Sequence, residues 1–195
     1  QGYMVEELGI QYIKEYLIPQ YKASNDNVLL QLSQIEEPVN DADGRYEART
    51  DLLIRNPTTN KWDIYEIKSS TKIDEKHKND VTFQTLVFEK YYDIGDIYIL
   101  HLNKEYFRNG DISLTELFTV ENVTEVVEEL RNEVKQKRYE AYLMIKTENI
   151  EHIEKCIHPK ECPCIELCHP NLPEYSIYDI NNFTRSERKV RKLME

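Results

Sequence analysis

The sequence predicts an α/β domain built on a mixed sheet, and three observations carry that expectation. Helical apolar spacing recurs over Gly2–Leu17, Asp74–Tyr92 and Asn122–Met144. A hairpin signature occupies Tyr46 to Ser69. The remaining strand-like runs complete an order of helix, three strands, helix, two strands and helix, the pattern of an α/β sandwich around a mixed sheet.

The first helix follows from Val5, Leu8, Tyr12, Ile13 and Tyr16, with Pro19 expected to end it. Val28–Ile35 contains no Gly, Pro, Asn or Asp and reads as a strand, followed by an acidic turn-rich loop through Glu36, Glu37, Asp41, Asp43 and Gly44. Two β-prone runs, Tyr46–Arg55 and Trp62–Ser69, flank Asn-Pro-Thr-Thr-Asn-Lys, which cannot continue a strand. Val81, Phe83, Leu86, Val87, Phe88 and Tyr91 mark a buried helix, along which His77 and Gln84 share a face. Gly95 introduces a strand over Asp96–Leu102, and Leu114–Val120 reads as another. The last helix carries Val126, Val127, Leu130, Val134 and Tyr142 on its apolar side, with Thr124 as its expected cap.

The chain has 195 residues, 40% of them hydrophobic and 31% charged, enough for one domain with an appendage. No apolar run approaches the ~20 residues that span a bilayer and no leader-like start is visible, so a cytoplasmic location without membrane association is expected. A formal charge of -11 argues against a general nucleic-acid coat. It leaves room for a local site, because Lys68, Lys72, Lys76 and Lys78 cluster in and after the second hairpin strand. A second basic run, Arg185 to Lys192, reads as a solvated helix end. The chain opens on Gln1 and closes on Glu195 within a helical pattern, so it reads as a piece of a longer protein.

The hairpin carries the chemistry. Taking Arg55 and Trp62 as the first pair closing the loop sets Asp51 opposite Glu66 and Arg49 opposite Lys68. Cross-strand partners share a face, so Asp51, Glu66 and Lys68 converge. Two carboxylates at that separation repel and hinder each other's ionisation. A hard divalent cation removes the conflict, since Mg²⁺ or Mn²⁺ takes one or two carboxylates with water and phosphate completing its shell. Without a cation, the same residues make a solvated hairpin face with a Glu/Lys pair.

All four cysteines lie between Cys156 and Cys168, at Cys156, Cys162, Cys164 and Cys168. Nothing signals secretion, so metal ligation fits better than disulfides. Thiolates in a loop punctuated by Pro159, Pro163 and Pro170 suit zinc or an iron-sulfur cluster, with His158 and His169 as substitute zinc ligands.

Several stretches together resemble the RecB-like branch of the PD-(D/E)XK nucleases, the branch that includes exonucleases with a cysteine-bound iron-sulfur cluster. They are Gly2-Tyr-Met-Val-Glu-Glu-Leu, Ala48-Arg49-Thr50-Asp51, Tyr65-Glu66-Ile67-Lys68-Ser69-Ser70, His77 through Gln84, His101 through Tyr106 and the cysteine loop. The nearest likeness is to an uncharacterised bacterial family whose longer members carry a downstream RNase H-like domain. The resemblance implies a restriction-endonuclease-like core at 1–150, a cysteine-rich metal or cluster loop at 151–175, and a strand and helix at 176–195 leading to a downstream domain. It makes Asp51, Glu66 and the Ile67 carbonyl ligands of Mg²⁺ or Mn²⁺, Glu6 a further metal contact, and Lys68 the residue that positions or activates the attacking water. Gln84 matches a motif glutamine, although Phe88 stands where a Tyr normally follows, with Tyr91 as its replacement or none. The cysteines also depart from the pattern, since relatives commonly draw one cluster ligand from the N-terminal side and this chain has none there.

The resulting expectation is a metal-dependent nuclease acting on nucleic acid, with DNA as the substrate and exonuclease action in repair or mobile-element defence. Two other classes compete: a nucleic-acid-binding module with idle chemistry, and a zinc-stabilised interaction domain centred on the cysteines.

Overall fold

A computed structural model describes residues 2–38, 44–147 and 165–176. Gln1–Leu143 forms one compact unit and Met144–Glu195 a second. In the first, helix α1 (Gly2–Tyr12) runs through a π-helical turn (Ile13–Leu17) into the short α2 (Ile18–Tyr21). Strands β1 (Val28–Glu36), β2 (Tyr46–Arg55) and β3 (Trp62–Lys68) precede α3 (Glu75–Phe88) and β4 (Ile94–Leu102). A helical turn α4 (Leu114–Leu117), strand β5 (Phe118–Asn122) and the long α5 (Thr124–Thr147) follow. The second unit contributes α6 (Ile165–Cys168).

The five strands form one mixed sheet in sequence order, antiparallel except for the parallel pair β3 and β4. Helix α3 makes the crossover that a parallel pair requires. One face of the sheet packs Leu53, Ile64, Ile97 and Ile99 with Val81, Val87 and Phe88 of α3 and Val127 of α5. The other packs Leu52, Ile54, Tyr65, Ile67 and Leu100 with Ile13, Leu17 and Phe118. Helices flanking both faces make this a mixed α/β fold. Among the described residues, no helix is long and apolar enough to cross a membrane.

The hairpin register near the turn is as read from the sequence, with Arg55 opposite Trp62, but the ladder ends at Leu52 opposite Tyr65, and the Asp51–Glu66 and Arg49–Lys68 pairs of that register are not made. Its turn is closed by Asn56, whose N–H donates to the Lys61 carbonyl (2.7 Å) and whose side-chain oxygen accepts from Thr58 and Thr59 N–H groups. Helix α3 opens on a mutual cap between Asp74 and His77. Asp74 accepts from the His77 N–H (3.0 Å) while the His77 ring accepts from the Asp74 N–H (3.3 Å).

Three expectations need correction. Pro19 does not stop the first helical segment, because the widened π-turn lets the chain continue to Tyr21 with Pro19 in the first turn of α2, where a missing N–H costs little. Leu114–Val120 is not all strand: Leu114 to Leu117 coil into a turn closed by Leu117 N–H on the Ser113 carbonyl, and pairing starts at Phe118. Thr124 does not cap α5 with its hydroxyl, which instead accepts from the Ile97 N–H (2.9 Å), and Asn122 accepts from the Thr124 N–H.

Gly9 lets α1 lie directly on β3. A Cβ there would fall 2.9 Å from two carbons of the Ile67 side chain, so any larger residue would push the helix off the strand. That close approach brings the N-terminal turns of α1 to the end of β3 that carries Glu66, Ile67 and Lys68.

Candidate metal and catalytic site

At this end of the sheet the hairpin ladder stops. The last β2–β3 pair is Leu52 with Tyr65, and beyond it side chains replace ladder bonds. The Ile67 N–H donates to Asp51 Oδ2 (2.7 Å), and the Thr50 hydroxyl donates to the Tyr65 carbonyl (3.4 Å). The opening is a cavity of about 280 Å³ lined by Glu6, Arg49, Asp51, Glu66, Ile67, Lys68, Ser69, Ser70 and His77. A larger depression of about 570 Å³ lies elsewhere, but its Glu36 carboxylate is already held by Arg138 at 2.7 Å and Lys90 at 3.6 Å.

Asp51 and Glu66 are both buried, at 7% and 8% exposure, yet they face an open cavity. Glu66 Oε1 accepts from the Lys68 ammonium (3.0 Å), while Oε2 is shut away from water and meets no donor in full hydrogen-bond geometry, although the Gln84 amide lies near enough to pull on the carboxylate. Burial first, then the Asp51 charge, pushes the Glu66 carboxyl up to about 7, against the pull of Lys68 and the Gln84 amide. Burial likewise raises Asp51, reinforced by Glu6 and opposed by the Ile67 N–H, Arg49 and Lys68. Lys68 shows the reverse balance. Burial works against its charge, but Glu66 and Asp80 lift its pKa above the ordinary lysine value, so it stays protonated.

Asp51, Glu66, Lys68, Ile67 and Glu6 thus border one cavity, with Gln84 buried beside Glu66. Glu6 stands apart at the rim, where its Oε1 accepts from Arg49 (3.3 Å) and Gln31 (3.1 Å). Among the described residues, no group of three His, Cys, Asp or Glu side chains is close enough to hold one ion. Two carboxylates and a carbonyl lie below that count and still match the ligand set Mg²⁺ prefers. A divalent cation there would relieve both the unpartnered Glu66 oxygen and the resistance of the two acids to ionisation.

Phe88 is fully buried in the core, and Tyr91 donates to the Ile35 carbonyl (2.6 Å), so neither supplies a tyrosine to the cavity. Lys72 and Lys76 are exposed and Lys78 is half-buried. Sequence reasoning assigned no role to Asp80, the second partner of Lys68. Its signal was its place one helical turn before Gln84 on the same face. Gln31 gave no signal, because nothing in a glutamine announces its backbone angle.

Cys156, Cys162 and Cys164 lie outside the described residues, as do His158 and the basic run from Arg185 to Lys192. Cys168 closes α6.

No protein family matches the sequence, and no curated protein matches it either. Among solved structures, one titled "Crystal structure of SSO0001" aligns over 87% of this chain and 83% of that one, at 13% identity and a TM-score of 0.40.

Proposed function

We propose that this unit is a metal-dependent nuclease of the PD-(D/E)XK kind, acting on DNA phosphodiester bonds through a restriction-endonuclease-like core. The observation that carries the reading is the Glu66 carboxylate. It is buried beside Asp51 with one oxygen unpartnered, and it faces an open cavity. A buried acid left in that state destabilises the fold unless something binds it.

Asp51, Glu66 and the Ile67 carbonyl would hold Mg²⁺ or Mn²⁺. When bound, that ion would stabilise the charge growing on the phosphate and lower the pKa of a coordinated water. Lys68, held protonated by Glu66 and Asp80, cannot act as a base. An ammonium has three N–H donors, so two acid partners leave one to orient the attacking water and offset charge on the phosphoryl oxygens. Attack at phosphorus breaks the bond to the 3′ oxygen and leaves a 5′-phosphate. Arg49, exposed at the cavity rim, and Lys72 and Lys76 beyond it supply local positive charge in an acidic protein. A cysteine-bound zinc or iron-sulfur cluster in the C-terminal loop belongs to the same reading.

The experiment is Mn²⁺-supported digestion of labelled single-stranded DNA, duplex DNA and RNA. Asp51→Ala should abolish cleavage, a loss of at least about a thousandfold, while leaving the far-UV circular dichroism unchanged. Undiminished metal-dependent hydrolysis by that variant would end the proposal. The rival reading, a binding module with idle chemistry, is favoured by the engagement of Lys68 with Asp80. It predicts nucleic-acid binding with no products on any substrate.

A further inference from the structure

Gln31 lies in the middle of β1 with a φ of 49°, in the left-handed region that non-glycine residues avoid. Its position is not arbitrary. The β1–β2 ladder pairs Leu30 with Leu52 and Leu32 with Thr50, and between them the Gln31–Asp51 pair is missing. Leu29 and Leu32, three residues apart, both reach the α3 side of the sheet, so the strand reverses its alternation at Gln31. On β2, Leu53 and Ala48 show the same reversal around Asp51.

Such a conformation is unfavourable for a side chain with a Cβ and persists only where the surroundings enforce it. What it secures is a contact. The kink delivers the Gln31 amide to Glu6 Oε1 at 3.1 Å, on the oxygen that also accepts from Arg49 at 3.3 Å. Arg49 alone would cancel the Glu6 charge, and its side chain is 57% exposed. Gln31 fixes the orientation of the carboxylate from a second side with a neutral donor that adds no opposing charge of its own. Glu6 lines the same cavity as Asp51 and Glu66. Yet Glu6 does not join Asp51 and Glu66 as a third direct ligand.

We propose that Gln31 is a positioning residue that holds Glu6 at the rim, where it contacts a cation bound at Asp51 and Glu66 through that cation's hydration shell. This rests on the nuclease reading of the site.

The test measures Mn²⁺ affinity by calorimetry and metal-free thermal unfolding for the full chain and two variants. Gln31→Met keeps the length and the kink but loses the donor. Its Mn²⁺ dissociation constant should rise about tenfold, the low end of what outer-shell contacts carry, with the unfolding temperature unchanged. Gln31→Gly also loses the donor but relieves the backbone. It should unfold at a higher temperature while binding Mn²⁺ about tenfold more weakly. A purely architectural Gln31 would leave the affinity of the Met variant untouched, and that result overturns the inference alone. A parent chain that binds no Mn²⁺ removes the cation site and this inference with it.

Discussion

Two buried carboxylates lie three residues apart on β3 and could hardly be treated more differently. Asp63 is fully buried and fully partnered. Its Oδ1 accepts from the Asp96 N–H at 2.9 Å, and its Oδ2 accepts from the Tyr21 hydroxyl at 2.7 Å and the Asn56 amide at 2.9 Å. The fit extends to Gly95, where a Cβ would fall 2.5 Å from Asp63 Oδ1. The Tyr21 hydroxyl also meets that of Tyr65 at 2.7 Å, so the network pins α2 to the sheet. Glu66, at the other end, keeps an oxygen with no partner and a pKa pushed up to about 7. The same strand thus holds one acid that the protein satisfies itself and one that it leaves partly unsatisfied. Burial does not separate the two acids; completeness of hydrogen bonding does.

The comparison breaks most visibly at Asp63. Asp63→Ala takes the acceptor from the half-buried Asn56 and Asp96 donors and leaves the Tyr21 hydroxyl with Tyr65 alone, and should cost about 3–5 kcal/mol in urea unfolding, whether or not Mn²⁺ is present. A smaller loss, or one recovered by Mn²⁺, would erase the contrast.

Next in size is the pH dependence. Glu66 has a folded pKa of about 7 against an ordinary value of 4.5, so the folded state holds its proton more tightly than the unfolded state. Below pH 4.5 both states are protonated and Glu66 contributes no penalty. As pH rises from there to about 7, metal-free stability should fall by on the order of 3 kcal/mol, and Asp51, also raised, acts in the same direction. Glu66→Gln should flatten most of that slope and stabilise the metal-free protein at pH 8, while abolishing Mn²⁺-dependent cleavage. Stability that rose with pH over this range would contradict the assignment.

The smallest effect sharpens the role of Lys68. Asp80→Asn removes one of the two carboxylates that hold the ammonium charged. The alkaline limb of the cleavage rate should move to lower pH in this variant, with little change in unfolding temperature because Asp80 is partly exposed. An unshifted limb would mean that Lys68 charge does not matter to the reaction.

The sequence made the hairpin register legible because Asn-Pro-Thr-Thr-Asn-Lys fixes where pairing begins, which brings Asp51 to the end of β3 that carries Glu66 and Lys68, although the ladder itself stops at Leu52 and Tyr65. What it hid were features set by long-range packing. Leu114–Leu117 has the apolar content of a strand, but Leu114 and Leu117 pack with the α1 side of the core as a helical turn. The reversal at Gln31 depends on a backbone angle that no side chain demanded. Asp80 became meaningful only when α3 laid it against Lys68. Glu6 reached the cavity through Gly9, whose missing side chain decides how closely α1 approaches Ile67.

The central claim is that a cation takes the place of a proton on Glu66, and proton release on Mn²⁺ binding tests it most directly. Calorimetric titration at pH 7, in buffers of different ionisation enthalpy, should show about half a proton released per cation bound, falling towards zero at pH 9. The same titration of Glu66→Gln should show neither the release nor the tight binding. Binding that releases no proton at pH 7, or that survives unchanged in Glu66→Gln, would contradict the account.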